Sequence, residues 1–444
     1  MGWGQAESRY DPNYHRGLGY SLAGWSKVGK IVSVKGGKRI PLGDTYANKE
    51  TGLYYLRVDN LGSNGSVIGE MKWLTQKTFD ALERYRVFTG DVLISIAGTI
   101  GRITVFNEEI SKSPTILTEN CAKLHINDSI LPQYLMLLLL SRPLQKQMER
   151  DYIQTTIPKL GLDRIRQLRM PPIPEISRQK RVISEWEASL KTFEQAKEKA
   201  LNLLASIDNY LLSELGITLP PELENTIANR IFTAQRRELA GWRFDPQALH
   251  PERESCIAEL ERRPLKPLYK AARFCRDLRA TINDGVSYIG LENIESNTGR
   301  YLPSNEKESV SSAFAFRKGQ ILFSKLRPYL NKVFLAPFDG LCSTEFHVLE
   351  GVTVSSEFLT LFLRSQLVVK QTKHLMSGNT LPRLQTEDIE ALLVPEVDAL
   401  LQKRIVDEAS QRMNEAERLR TKAEAELETA KLLIEAMLLG EVEV

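Results

Sequence analysis

The stretch PPIPEISRQKRVI, residues 171–183, contains three prolines and then opens a run that has no proline or glycine before Gly216. Nearly the same pattern recurs in VPEVDALLQKRIV, residues 394–406. Proline fits before a helix and in its first turn but not in its interior, so each stretch predicts the start of a long helix. The second occurrence indicates that the chain contains an internal repeat.

Five further blocks recur in the same order in the two halves of the chain. The offset between matching residues falls from 234 positions (Arg9 against Arg243) to 223 positions (Ile183 against Val406). A common order with a slowly drifting offset indicates a tandem duplication in which loops have been lost. The matching blocks are RYDPNYH (9–15) and RFDPQALH (243–250), YYLRVDNL (54–61) and SYIGLENI (287–294), GDVLISIAGTIGRITVF (90–106) and GQILFSKLRPYLNKVFL (319–335), LTEN (117–120) and STEF (343–346), and TTIPKLGLDRIRQL (155–168) and NTLPRLQTEDIEAL (379–392).

Each copy has the same predicted order of elements. Runs of β-branched and aromatic residues such as LYYLRV and QILFSKL, separated by Gly, Asn and Asp turns, predict short strands. A short apolar helix and then a long helix follow in both copies. We therefore predict an α+β protein with two globular domains and two long helices. The predicted boundaries are 1–174 for the first domain, 175–216 for the first long helix, 217–240 for a linker, 241–394 for the second domain and 395–444 for the second long helix.

The long helices carry apolar residues at a spacing of about 3.5 residues, which is typical of a coiled coil. Trp186 and Phe193 of the first helix match alanines of the second, and large residues against small ones let two helices approach closely. We predict that the two helices of one chain pair, with Lys197 and Arg420 as charged seam residues that set the register. Two alternatives stay open: each helix docks on its own domain, or the coiled coil joins two chains. The predicted coiled-coil residues are Ile183, Trp186, Leu190, Phe193, Lys197, Leu204 and Ile207 in the first helix, and Val406, Ala409, Met413, Ala416, Arg420, Leu427 and Ala430 in the second.

The composition excludes several classes of protein. A net charge of +3 over 444 residues is nearly neutral, so a nucleic-acid surface would have to come from local basic patches. Four scattered cysteines without a C-x-x-C pair argue for a reducing compartment and against a structural zinc. The N-terminal sequence lacks the pattern of a signal peptide, and YLMLLLL (134–140) is too short to cross a bilayer. We expect a cytoplasmic protein that does not bind membranes.

Basic side chains lie beside glycine, threonine and asparagine residues in both copies. Arginine and lysine bind phosphate oxygens and guanine edges, asparagine binds adenine, and glycine lets the backbone approach a phosphate. A duplicated chain also suits duplex DNA, whose half-sites reflect the geometry of the protein. The alternative is a solvated charged surface. The predicted DNA-binding residues are Lys35, Gly36, Gly37, Lys38, Arg39, Arg57, Gly98, Thr99, Gly101, Arg102, Thr155, Thr156 and Lys159 in the first copy, and Arg273, Arg276, Arg279, Lys325, Arg327, Tyr329, Lys332, Asn379 and Arg383 in the second.

The sequence predicts no catalytic site. Asp59, Glu70 and Lys72 resemble the acid, acid-x-lysine site of a nuclease, which stays a minor alternative because the second copy keeps no such trio. The chain has neither a Gly-rich phosphate loop followed by Lys-Ser/Thr nor the Asn/Asp-Pro-Pro-aromatic tetrapeptide of an amino-methyltransferase. The five histidines are dispersed, and His15 and His250, which follow the Asp-Pro turns, are interpreted as structural. We therefore predict no catalytic residue, no bound metal and no cofactor in this chain.

With these blocks, the chain resembles the specificity (S) subunit of type I restriction-modification systems over almost its whole length. The resemblance rests on GDVLISIAGTIGRITVF (90–106) and on the passage IPKLGLDRIRQLRMPPIPEISRQKRVI (157–183) into a long helix, both repeated more loosely in the second half. It implies two target-recognition domains, each reading one half of a split DNA target, and an antiparallel coiled coil between the two helices. It also implies a non-catalytic subunit of a DNA adenine methyltransferase and endonuclease complex.

The resemblance further implies the partners of this chain. These are double-stranded DNA, two methyltransferase (M) subunits docked on the helices, and restriction (R) subunits, to which S-adenosylmethionine, ATP and Mg would belong. The S-x-x-G-T-x-G turn of the family matches Ser95, Gly98, Thr99 and Gly101, whereas the second copy reads SKLRPYLNK (324–332) and lacks these glycines. The alternative from another class is a coiled-coil scaffold that binds proteins and no specific DNA sequence.

Overall fold

The computed structural model describes residues 22–62, 65, 67–107, 113–151, 158–224, 226–233, 246–279, 286–303, 312–378 and 381–442. The chain forms two units, one of residues 1–194 with 423–444 and one of residues 195–422. Each unit combines sheets with helices in the same order. The predicted α+β tandem repeat with two long helices is therefore confirmed. The RYDPNYH block and residues 243–245 of its counterpart lie outside the described residues.

The first unit is built from short strands and helices, and β-branched and aromatic residues favour the extended backbone of its strands. Pro132 opens its most apolar helix, where a fixed φ and a missing N–H are tolerated. The strands are β1 (Ser26–Lys27), β2 (Val32–Gly36), β3 (Tyr54–Leu56), β4 (Lys72–Trp73), β5 (Arg86–Val87), β6 (Val92–Ser95), β7 (Ile103–Val105), β8 (Thr115–Leu117), β9 (Cys121–Ile126) and β10 (Arg169–Met170). The helices are α1 (Gln76–Leu82), α2 (Pro132–Leu140), α3 (Arg142–Asp151), α4 (Leu162–Gln167) and the first part of α5 (Ile176–Glu214).

Two four-stranded sheets form the first unit, in the orders β2-β9-β6-β7 and β4-β3-β8-β5. The first sheet is antiparallel, whereas β3 and β8 of the second sheet run parallel. On one face of the first sheet, Val34 and Leu124 are register partners and share a core with α2. On the other face, Leu93 packs with Leu56 and Leu117 of the second sheet. The first sheet therefore lies between the second sheet and the helices.

The second unit contains the matching elements. Its strands are β11 (Leu265–Pro267), β12 (Ala272–Cys275), β13 (Leu278–Arg279), β14 (Tyr288–Ile289), β15 (Ala313–Phe316), β16 (Ile321–Ser324), β17 (Val333–Leu335), β18 (Gly340–Cys342), β19 (Phe346–Gly351) and β20 (Leu393–Pro395). Its helices are α6 (Ile227–Arg230), α7 (Pro251–Leu260), α8 (Leu268–Ala271), α9 (Ser356–Leu363), α10 (Gln366–Thr372), α11 (Thr386–Glu390) and the first part of α12 (Ala399–Leu439).

The sheets of the second unit repeat those of the first, with one difference. Their orders are β12-β19-β16-β17 and β13-β15-β18-β14, and β14 runs parallel to β18 as β3 does to β8. The pair β11 and β20 matches the pair β1 and β10. The fourth strand of the second sheet differs, because β4 joins the edge strand β3 whereas β13 joins the opposite edge at β15. The two copies therefore diverge at the edges of this sheet.

The long helices pack antiparallel within each unit. In the first unit, Trp186 from the first part of α5 shares a core with Leu427 and Ile434 from the last part of α12. In the second unit, Arg412 donates to the Ser206 carbonyl at 3.0 Å, and Arg404 forms an ion pair with Glu214. Residues later in α5 contact residues earlier in α12, so the two helices run antiparallel.

Burial along the helices follows the predicted seam with one correction. Ala409 and Ala416 of α12 are buried, and Phe193 of α5 packs on the core of the first unit. Lys197, however, is exposed, and Arg420 is only half-buried, with an ion pair to Glu417 at 2.7 Å. Lys197 thus lies beside the buried seam rather than inside it, because an unpaired buried ammonium group would lose its hydration.

Two glutamines at matching positions attach the long helices to the domains. The Gln179 side chain accepts from Leu131 N at 2.8 Å, just before α2, and donates to the Ser129 and Pro174 carbonyls. The Gln402 side chain accepts from Ser355 N at 2.8 Å, just before α9. Both glutamines are buried, and each satisfies an N–H that the start of a helix leaves unpaired.

Carboxylates from the far ends of the long helices satisfy a second pair of helix starts. Glu435 accepts from Arg142 N at 2.7 Å at the start of α3. Asp208 accepts from Gln366 N at 3.2 Å and 3.3 Å at the start of α10. A negative charge at a helix N-terminus is favourable because the macrodipole is positive there. Each unit is therefore completed by a helix segment from the other sequence repeat.

Candidate nucleic-acid interface

Backbone hydrogen bonds draw several loops of the first unit together at the end of β2. Lys38 N donates to the Leu117 carbonyl at 2.9 Å, and Gly98 N donates to the Pro158 carbonyl at 3.2 Å. Ile96 N donates to the Asn120 carbonyl at 2.8 Å, which links the loop after β6 to the turn before β9. We call this group the first loop cluster; it comprises residues 36–39, 96–102, 117–120 and 158–160.

The second unit contains the matching group. Lys325 N donates to the Glu345 carbonyl at 2.8 Å, and Arg327 N donates to the Pro382 carbonyl at 2.8 Å. Isolated bridges join Ala97 to Lys159 in the first unit and Leu326 to Arg383 in the second. We call this group the second loop cluster; it comprises residues 325–332, 343–345 and 382–384. The same backbone frame is thus built twice from different side chains.

The turn after β6 has two residues in the left-handed conformation, and so does its counterpart after β16, although the glycines are absent there. Gly98 and Gly101 have φ angles of 75° and 83°. After β16, Arg327 and Asn331 take the left-handed conformation instead, with φ angles of 48° and 50°. Asparagine tolerates this region better than most residues, and Arg327 is held there by its bond to Pro382. The left-handed positions thus recur although the second turn, residues 325–332, is one residue longer than the first, residues 96–102.

Several predicted residues are exposed on the two loop clusters. In the first cluster, Gly98 is exposed, and apart from its chain neighbours no atom of the described residues lies within 4 Å of the place where its Cβ would be. In the second cluster, Tyr329 is 46% exposed. The predicted residues exposed on the clusters are Lys38, Arg39, Gly98, Thr99 and Lys159 in the first and Arg327, Tyr329 and Arg383 in the second.

Two predicted glycines have structural roles that account for them without DNA, Gly37 through close packing and Gly101 through its positive φ. A Cβ on Gly37 would lie 2.1 Å from the Thr118 carbonyl oxygen, so glycine is required where this strand end meets the turn before β9. A Cβ on Gly101 would lie 2.5 Å from the Gln145 side chain. Gly36 is half-buried beside Leu162. Their assignment to DNA binding stays a prediction.

Three predicted cations already bind backbone carbonyls. Arg102 donates to Leu61 at 3.1 Å, and Lys332 donates to Leu291 at 2.6 Å. Lys325 donates to Thr344 at 2.6 Å, and burial lowers the pKa of Lys325 and of Lys332. These side chains hold loops together, and contact with DNA by any of them stays a prediction.

The remaining predicted residues lie near the clusters or outside the described residues. Lys35 is exposed on β2, and Arg57 forms an ion pair with Asp59 at 3.5 Å. In the second unit, Arg273, Arg276 and Arg279 are all exposed. Arg276 pairs with Glu390 at 3.6 Å and Arg279 with Asp277 at 2.7 Å. Thr155, Thr156 and Asn379 lie outside the described residues.

Two carboxylates that the sequence did not single out lie in the clusters, at adjacent positions of corresponding turns. Glu119 binds Arg39 Nε at 2.7 Å, and Glu345 binds Arg383 through two nitrogens at 2.7 Å and 3.0 Å. The only sequence signal was the recurrence of Thr-Glu in LTEN and STEF, which served to align the repeats. Their arginine partners occupy non-matching positions, so no pairwise pattern could reveal the contacts.

Both carboxyls are held in the charged form. Burial raises the pKa of Glu119, but hydrogen bonds, first of all from Arg39, outweigh it, and the pKa lies below its usual value. The hydrogen bond from Arg383 is the largest influence on Glu345 and lowers its pKa. At neutral pH each cluster therefore presents a guanidinium bound to a carboxylate.

One group in the described residues has donor atoms close enough for a metal ion: His250, Glu252 and His374. Its surroundings do not favour a cation. Lys370 and Lys373 lie 3.1 Å and 2.6 Å from the Glu252 carboxylate, and His250 Nδ1 accepts from Glu252 N. Burial raises the pKa of Glu252, but hydrogen bonds from Lys373, His374 and Lys370 lower it overall to about 2. The group is a buried ion cluster that fastens α7 to α10.

In the part of the chain that the structure describes, no helix is both long and apolar enough to cross a membrane.

Comparison with known proteins agrees with this architecture. The family model of the type I restriction modification DNA specificity domain matches residues 24–203 and 282–429. A curated relative, the type I restriction enzyme EcoDI specificity subunit of Escherichia coli, is 31% identical over 111 residues, which span 24% of this chain and 25% of that protein. The alignment thus covers about a quarter of the relative's length.

Solved structures with a similar chain course come from the same systems. The S subunit of the type I restriction-modification system from M. genitalium has 12% identity and a TM-score of 0.41, over 93% of this chain and 95% of that one. HsdS from Thermoanaerobacter tengcongensis has 14% identity and a TM-score of 0.39, over 96% and 99%. A chain from a type I R-M system studied for complex assembly and conformational transition has 14% identity and a TM-score of 0.48, over 93% and 96%. These scores are too low to support an inference, so the assignment rests on the family match, which spans more than half of the chain in two segments: this chain belongs to the type I restriction modification DNA specificity domain family.

Proposed function

We propose that this chain is the non-catalytic subunit that selects the DNA sequence in a type I restriction-modification complex. Each unit would read one half of a bipartite target in duplex DNA through its loop cluster. The observation that carries the proposal is the duplicated loop cluster, in which one backbone frame presents different side chains. A shared frame with changed side chains is what two recognition surfaces for two different half-sites require.

The partners follow from family membership and remain part of the proposal. Two M subunits and the R subunits would dock through α5 and α12, and the exposed polar faces of these helices support such a role. S-adenosylmethionine, ATP and Mg would be bound by those subunits and not by this chain. This chain would therefore supply sequence selection, while its partners carry out methylation and cleavage.

The test is genome-wide mapping of N6-methyladenine in cells that express the neighbouring methyltransferase with and without this chain. We expect a split motif that is methylated only when the chain is present. A chain with both clusters neutralised (Lys38→Ala, Arg39→Ala, Arg327→Ala and Arg383→Ala) should abolish the motif. Methylation that is independent of the chain, together with weak, sequence-indifferent DNA binding that is lost steeply with salt, would instead support a protein-binding scaffold.

A further inference from the structure

The two loop clusters share a feature that the sequence alignment does not show. Glu119 is the first and Glu345 the second residue of the corresponding turns before β9 and before β19, and each binds an arginine. Arg39 follows β2 in the first copy. Arg383 lies in the segment 382–384 and occupies the position that Lys159 has in the first copy. What recurs is a guanidinium held by a carboxylate at this turn, although the arginine comes from a different part of the chain.

Folding stability does not explain the recurrence. The side chains of Arg39 and Arg383 are 79% and 46% exposed, and ion pairs this exposed contribute little to stability. The carboxylate of Glu119 is nevertheless fixed from its other side, since Oε2 accepts from Thr118 at 3.0 Å and from the Tyr55 hydroxyl at 3.4 Å. A carboxylate that is anchored in this way sets the direction of the arginine it binds.

The geometry leaves one edge of each guanidinium available. Arg39 is bound through Nε, and no other described residue binds its two terminal nitrogens. Arg383 is bound through Nε and one proton of Nη2, and no described residue binds Nη1 or the second Nη2 proton. A guanidinium has five N–H donors, and its end-on pair matches the O6 and N7 acceptors of guanine. Each carboxylate thus holds the side of its arginine and leaves free the edge that reads guanine.

We propose that Glu119 and Glu345 are positioning residues that orient Arg39 and Arg383 to read a guanine, one in each half-site. This inference rests on the proposed function. The carboxylate has a second effect, because its charge repels phosphates and so limits non-specific backbone contact by the same arginine. Loss of the carboxylate should therefore reduce discrimination between bases more than it reduces total DNA binding.

The experiment uses the full chain with its methyltransferase partner and duplexes that carry the mapped target or versions with each guanine replaced by adenine. Glu119→Gln is expected to reduce the preference for guanine about tenfold in one half-site, and Glu345→Gln about tenfold in the other. Arg39→Lys should lose the same preference while it keeps the salt dependence of binding, because lysine retains the charge but lacks the fork.

Glu295→Gln is the matched control for Glu345→Gln. Glu295 binds Arg300 through two nitrogens, at 2.8 Å and 3.1 Å, so the lost contact is similar while the loop cluster and the long helices are unchanged. The inference is overturned if the glutamine variants keep the guanine preference within about twofold, if both half-sites lose it equally, or if the half-sites contain no guanine. If the wild-type chain directs no split methylation, the proposed function itself fails, which is a separate outcome.

Discussion

At the residue scale, the loop clusters separate side chains that are free to meet a ligand from those that the fold already uses. Gly37 is required by close packing and Gly101 is favoured by its φ of 83°, whereas the Cβ position of Gly98 meets no other part of the described chain. Arg102 and Lys332 bind backbone carbonyls, whereas Arg39 is exposed and forms an ion pair with the Glu119 carboxylate. Basic residues beside glycines look alike in the sequence, because the pattern does not say which neighbours they meet in space.

A buried histidine beside the second loop cluster predicts a pH dependence of stability. His347 lies on β19, and its Nε2 has no hydrogen-bond partner among the described residues. Burial, followed by the nearby Lys325 and Arg276, lowers the pKa of His347 to about 3. In the unfolded chain a histidine takes up its proton near pH ~6.5, so the unfolded state binds more protons between these values and the fold loses stability as the pH falls.

We expect the free energy of unfolding to fall by about 2 kcal/mol between pH 7 and pH 5 because of this histidine. The measurement is urea-induced unfolding of the second unit at both pH values, for the wild type and for His347→Phe. The substitution removes the titrating group. The variant should show a smaller loss on acidification. An equal loss in both proteins would mean that His347 is not buried in the neutral form.

At the element scale, the long helices are components of the domains as well as a coiled coil. Gln179 and Gln402 bind the backbone at the starts of α2 and α9, and Glu435 and Asp208 bind the starts of α3 and α10. The two alternatives of helix pairing and helix docking are therefore both realised within each unit. In the second unit, Ala409 and Ala416 stand where the first has Trp186 and Phe193. A groove of about 910 Å³, lined by Ala416 and by residues of α9, remains in the second unit.

The buried glutamine predicts a measurable cost of substitution. Gln179→Ala removes a buried side chain that binds the Leu131 N–H and the Ser129 and Pro174 carbonyls, which are partly shielded from water and costly to leave without partners. We expect a loss of about 3 kcal/mol in unfolding free energy and faster hydrogen exchange at the start of α2. Gln195→Ala, at an exposed position of the same helix, is the control and should change stability by less than about 0.5 kcal/mol. Similar exchange in both variants would contradict the role of Gln179.

At the scale of the whole molecule, the compact units do not coincide with the sequence repeats. The first unit takes residues 423–444 from the second repeat, and the second takes residues 195–214 of α5 from the first. Each repeat thus supplies a helix segment to the other unit. In an isolated repeat, buried residues such as Trp186 and Leu211 would lose the apolar surface of the other repeat against which they pack.

Exchange of one domain tests how recognition is divided. Replacement of residues 1–170 by the matching segment of another family member keeps α5 and α12 and the second loop cluster. We expect the methylated motif to change in one half only, because each cluster would read its own half-site. Mapping of N6-methyladenine measures the outcome. A motif that changes in both halves would show that the two units do not read independently.

The sequence by itself determined the duplication, the α+β class, the strands around the GDVLISIAGTIGRITVF block and the two long helices, because periodicity and turn residues act over short distances. The exposed position of Lys197, the Arg39–Glu119 and Arg383–Glu345 pairs and the buried glutamine contacts were decided only by the tertiary structure. These contacts join residues far apart in the chain. The energies of these contacts depend on burial and on which loops are neighbours in the folded chain, and the local sequence pattern specifies neither.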